Sequence, residues 1–154
     1  MAALSEEKPL DPVLSKVDRW LLYFDLGEEE LLLGNEEEAI EYLSKAYSRL
    51  PELADYLRKD LPIILSFRLG VAYLRWAETL NCSLQMTPES CIFPIKGGGI
   101  HIDKNPSKRA IRQFAEVLLH TEKDSELNLR SRWLLNIAYM TIGLYPDAIP
   151  DEYL

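Results

Sequence analysis

A chain of 154 residues, 47% apolar and 27% charged, has room for one domain and enough apolar material to bury a core. Its net charge of −8 is carried by residues 1–60, with 15 acidic against 7 basic side chains, a balance that repels phosphate backbones and excludes nucleic acid as a partner. No apolar run reaches the roughly 20 residues of a membrane span, and the opening residues, with Glu6, Glu7 and Lys8, lack the apolar stretch of a secretory signal.

Residues 1–12 read as a flexible lead-in ending at Pro9 and Pro12. A helix is predicted from about Val13, with Val17, Trp20, Leu21, Phe24, Leu31 and Leu32 on one face at spacings of three, four and seven. Gly34-Asn35 ends it. Asn35 is placed to cap a second helix, whose first turn holds Glu36, Glu37 and Glu38, where negative charge meets the positive end of the helix dipole, and which stops at Pro51. After a short connection, Pro62 fits the first turn of a third helix, which runs through Trp76 to about Leu80. A fourth, from Pro106 to about His120, has Asn105 as its expected cap and Ala110, Phe114 and Val117 on its apolar face. A fifth opens near Leu127. Pro146 and Pro150 prevent its antiparallel partner, so either Tyr145 to Leu154 folds back as a cap or a further domain follows.

Gly27, Gly34, Ala39, Leu43, Ala46 and Pro51, then Leu69, Gly70 and Tyr73, then Trp133, Leu135, Tyr139, Gly143 and Ala148 resemble tetratricopeptide repeats. Small residues let paired helices approach, and large ones fill the seam. The expectation is an all-α, tetratricopeptide-like array of about 2.5 to 3 hairpin repeats. It forms a single domain over residues 13–154, with repeats at about 17–51, 62–121 and, partial, 127–149, and a long insertion at 81–105 inside the second repeat. From Leu69 onward, LGVAYLRWAE, the cysteine-bearing NC and ESCIFPI, GGGIH, and RWLLNIAYMTIGLYPD with PDEYL are also similar to the N-terminal helical region of bacterial proteins with FG-GAP (VCBS) propeller repeats and an ASPIC/UnbV domain. That resemblance implies a β-propeller as partner domain and, with a disulfide, favours a periplasmic or secreted location.

The insertion holds both cysteines. Cys82 and Cys91 are read as a disulfide closing a small ring. Free thiols are one alternative, and a metal or small-ligand site built from Cys82, Cys91 and His101, with Asp103 nearby, is another, although no CxxC or zinc-finger spacing occurs. Lys96 and the run Gly97, Gly98 and Gly99 read as a turn needing positive φ, or as a nest of amides for an anion. His101 and Asp103, two apart, share a face on an extended segment, where a carboxylate can orient an imidazole. No third member of a nucleophilic set accompanies them, so no catalytic residue, metal or cofactor is assigned.

The favoured function is non-catalytic binding of a peptide or protein. In tetratricopeptide arrays the first helices of successive repeats line a groove, here Phe24, Glu28, Leu31, Phe67, Val71, Leu74, Arg75, Arg130, Trp133 and Ile137. Arg75 and Arg130 would meet a carboxylate of the bound segment. One alternative is an accessory enzyme component or a small-ligand or metal-binding protein that uses the Cys- and His-bearing insertion, another is a self-associating scaffold, and the insertion is expected over an edge or the mouth of the groove.

Overall fold

A computed structural model of the chain describes residues 12–82 and 87–154, apart from the side chains of residues 13, 14, 54 and 91. The described residues are all-α. Helices α1 (Pro12–Leu33), α2 (Glu36–Tyr47), α3 (Leu50–Leu53), α4 (Leu61–Cys82), α5 (Asn105–Leu119) and α6 (Glu126–Thr141) are joined by turns and short 3-10 segments, with no strand among them. The expected lead-in falls outside the described residues except for Pro12, which opens α1.

Helix ends follow local chemistry. Gly34, at φ +84°, closes α1, with Gly34 N–H donating to Leu31 O and Asn35 N–H to Glu30 O. Gly143, at φ +74°, closes α6 the same way, through Met140 O and Tyr139 O. Two of the expected caps differ. Asn35 holds the cap position of α2, but its amide donates to Glu30 Oε2 at 2.7 Å, so the three glutamates of the first turn face the helix dipole without a side-chain cap. At α5, Asn105 is already helical, and Asp103 Oδ1 accepts from its N–H at 2.9 Å. Ser125, unremarked in the sequence, caps α6 by accepting from Asn128 N–H.

The helices pack in chain order. α1 lies on α2, α2 on α4, α4 on α5 and α5 on α6, while α1 and α6 each touch α4 along a narrower seam. Two glycines set the closest approaches. A Cβ on Gly27 would lie 2.6 Å from Leu43 Cγ, and one on Gly70 would lie 2.7 Å from a ring carbon of Phe114. Trp20, Leu43, Leu65, Phe114, Val117 and Leu135 are fully enclosed. The Trp20 indole N–H donates to Ala46 O at 2.9 Å, which satisfies its one polar atom inside the core. Of the apolar face expected on α1, Trp20 and Leu31 are buried. Leu21 and Leu32 instead point outward, because only one narrow stripe of α1 meets α2 and α4.

Past α6 the chain turns back. Ile149 is buried, Tyr153 packs on the core, and Tyr153 O accepts from Asn136 Nδ2 at 2.7 Å. Residues 145–154 therefore fold back and cover part of α6.

Candidate functional site

The sequence places its groove on α1, α4 and α6, and four of its positions are core. Phe67, Leu74 and Ile137 are buried, as is Leu31, and Phe67 packs against Phe114 with ring centres 6.1 Å apart. A partner arriving from solvent does not reach them. Phe24 is half-buried and stacked on Trp20 at 5.5 Å, and Val71 is half-buried against the core. Glu28 lies 3.0 Å from Arg68, and burial pushes its carboxyl above the ordinary glutamate value against the opposing pull of that arginine.

Both arginines expected to clamp a carboxylate already have partners. Arg75 Nη1 donates to Leu31 O at 3.1 Å, and its Nε lies 3.7 Å from Glu36 Oε1. It caps the negative end of α1 and ties α4 to the α1–α2 turn. Trp76 Nε1 adds a bond to Glu37 Oε1 at 3.2 Å on the same seam. Arg130 pairs with Glu126 one turn earlier on α6, where both side chains are exposed and the pair contributes little.

The insertion is built around Asn81, near the end of α4. Its Oδ1 accepts from Ile102 N–H at 2.8 Å and Asp103 N–H at 3.0 Å, and its Nδ2 donates to Ala77 O at 2.8 Å and Asp103 O at 3.1 Å. One amide thus closes the returning arm onto the helix it left. His101 N–H donates to Thr141 O at 2.8 Å, which fastens the same arm to α6. The His101 ring is buried, with Nδ1 3.3 Å from Ser107 Oγ, and Ser107 Oγ is 2.9 Å from Thr141 Oγ1, which donates to Ala138 O. Thr141 Oγ1 has Ser107 Oγ and Ala138 O as its two acceptors, and through Ser107 it ties the imidazole to α5 and α6. Removal from water pushes the imidazole below its ordinary value.

The expected pairing of His101 with Asp103 is therefore absent. The Asp103 carboxylate caps α5, and the imidazole turns the other way, into the α5–α6 seam. The glycine run folds as a 3-10 turn, Gly97–Gly99, with positive φ at Gly97 alone. Gly98 N–H donates to Glu89 Oε2 at 2.5 Å, so the anion held there is the chain's own carboxylate. Lys96 lies instead beside Glu89, Ile92, Phe93 and Pro94 around a depression of about 170 Å³. The Cys82–Cys91 pairing rests on the Cys91 side chain, outside the described residues. Cys82 and His101 border one void of about 10 Å³, and no group of three His, Cys, Asp or Glu side chains suited to a metal occurs among the described residues.

Sequence reasoning missed the contact that links the insertion to the groove. Phe93 meets Trp133 edge-on, with ring centres 5.9 Å apart, yet the two remain 54% and 59% exposed. Ile92 beside Phe93 and Leu129 one turn before Trp133 are exposed as well. No periodicity connects positions 40 residues apart, and only the fixed arm of the insertion brings them together. The chain matches no family model, no curated protein and no solved structure. Among the described residues no helix is long and apolar enough to cross a membrane.

Proposed function

We propose that the chain is a tetratricopeptide-like, non-catalytic binding module whose partner surface is the outer face of α6 joined to the insertion. The Phe93–Trp133 pair carries this reading. Two large aromatic rings in mutual contact, each more than half exposed and bordered by Ile92 and Leu129, form the kind of patch that anchors a protein interface. The pairwise stacking of the helices supports the repeat assignment, with the close approaches at Gly27 and Gly70 where small residues of a repeat belong. Under the resemblance to propeller-containing proteins, a β-propeller domain is the partner to try first, and the insertion acts as a contact arm rather than a catalytic loop.

The test is a binding titration against such a propeller domain, followed by Trp133 fluorescence in a Trp76→Phe background. Binding should shift the emission to the blue and shield Trp133 from acrylamide, and Phe93→Ala with Trp133→Ala, which lacks the reporter and is titrated by calorimetry beside the wild type, should bind about ten-fold or more weakly. Unchanged affinity in that double variant sinks the surface assignment. Blue-shifted emission that depends on the chain's own concentration assigns the patch to self-association instead.

A further inference from the structure

On another part of the surface, α2 and α5 both lean on α4 and leave a cleft of about 290 Å³ between them. Its walls are Tyr47 at the end of α2, Tyr73 of α4, and Arg109, Arg112, Gln113 and Glu116 of α5. Spacings of three, four and seven put the four α5 residues on one helical face. The volume is close to the lower bound of small-ligand sites.

The chemistry is unusual for so acidic a chain. Neither Arg109 nor Arg112 has a carboxylate within ion-pair distance among the described residues, although one acid, Glu116, stands on the same wall, its Oε1 3.5 Å from His120 Nδ1. Arg109 donates to the Tyr73 hydroxyl at 3.3 Å and lies over its ring at 5.5 Å. Tyr73 is 6% exposed, and its hydroxyl, accepting from Arg109, keeps its own proton to donate. Gln113 Oε1 is buried with no hydrogen-bond partner among the described residues, and an amide can turn to present either end. Two guanidinium groups, a phenol and an unsatisfied amide therefore converge on one tyrosine-walled space.

We propose that this cleft binds a compact organic anion through a carboxylate or phosphate group, with Arg109, Arg112 and Tyr73 as its donors and Gln113 meeting a further polar atom of the same ligand. The tyrosine walls favour an anion with a flat apolar body over a bare ion. The site shares no residue with the α6 surface and stands whether or not that surface binds a protein.

Calorimetric titration of the intact chain with phenyl phosphate, benzoate and inorganic phosphate at fixed ionic strength, with benzyl alcohol as the neutral control, tests it. At least one of the aromatic anions should bind, more tightly than inorganic phosphate and with benzyl alcohol silent; the order of phenyl phosphate and benzoate then names the head group. Arg109→Gln with Arg112→Gln should weaken binding by about ten-fold or more, since each charge-assisted bond is stronger than a neutral one. Tyr73→Phe, which keeps the ring, should weaken it by less. Gln113→Glu gives a second route should the double variant fold poorly, and it should weaken binding by about ten-fold or more by adding a second carboxylate to that of Glu116 on the cleft wall. No heat from any anion, or equal binding by the wild type and Gln113→Glu, overturns the proposal.

Discussion

Two buried polar side chains in the insertion do different work. Asn81 makes four hydrogen bonds to main-chain groups, and three of them hold Ile102 and Asp103. Asn81→Ala takes the partner from main-chain groups on a part-exposed arm that water can reach, and it should destabilise the fold by about 1–2 kcal/mol in urea unfolding. Hydrogen exchange at Ile102 and Asp103 should accelerate more than exchange within α2, and uniform acceleration would mean that Asn81 has no special hold on the arm. His101 acts through its charge state. Its native pKa is depressed by burial, so in the window from the ordinary imidazole value down to the native one the unfolded chain binds the proton that the folded chain refuses. Stability is fully present above the ordinary value near 6.5 and falls as pH drops below it. Unfolding midpoints at pH 7.5 and pH 5.5 should therefore differ, with the lower midpoint in acid, and His101→Gln should reduce the difference. An equal pH response in that variant would place the sensitivity elsewhere.

At the scale of helices, the sequence was informative wherever chemistry is local. Gly34, Pro62 and Pro106 mark ends that the structure keeps within a residue or two, and the spacing of Ala110, Phe114 and Val117 gives the buried side of α5. What it concealed is what two distant segments make together. Arg75 looks like a groove cation until Leu31 O is found beside it, 44 residues away in sequence. Phe67, Leu74 and Ile137 sit on helices expected to line a groove, but apolar spacing alone cannot tell a groove floor from a core. The cleft of Tyr47, Tyr73 and Arg109 draws on three helices and has no linear signature. Helix contact also sets the effect of small residues. Alanine in place of Gly70 would gain roughly 1 kcal/mol of helix propensity, but its Cβ would sit 2.7 Å from a Phe114 ring that is itself fully enclosed. Overpacking costs about 1–3 kcal/mol, so Gly70→Ala should come out destabilising, whereas an exposed glycine in a helix would not. Thermal melts of Gly70→Ala and of Gly70→Ala with Phe114→Leu separate the terms, because the smaller partner should relieve most of the penalty that the glycine change adds. A Gly70→Ala protein as stable as the wild type would show that the seam has slack.

As a whole, the molecule is a stack in which each helix leans mainly on its neighbours in sequence, so its stability should be graded along the chain. α4 and α5 are covered from both sides, and their amides should exchange slowest. The α1–α2 pair joins the stack through the α2–α4 contact, a slender α1–α4 seam, and the bonds from Arg75 to Leu31 O and from Trp76 to Glu37. Removing both bonds with Arg75→Ala and Trp76→Phe strips the α1 end of its cation and loosens one layer while the buried α4–α5–α6 side chains stay unsubstituted. Exchange in α1 and α2 should rise about ten-fold relative to α5 and α6, the ratio expected when roughly 1.4 kcal/mol is taken from one local opening alone. The global unfolding midpoint should move far less than that local change implies. If exchange instead rises equally in α1 and α6, the chain opens only as a unit, and the α1–α2 layer has no independent stability for a partner or a mutation to act on.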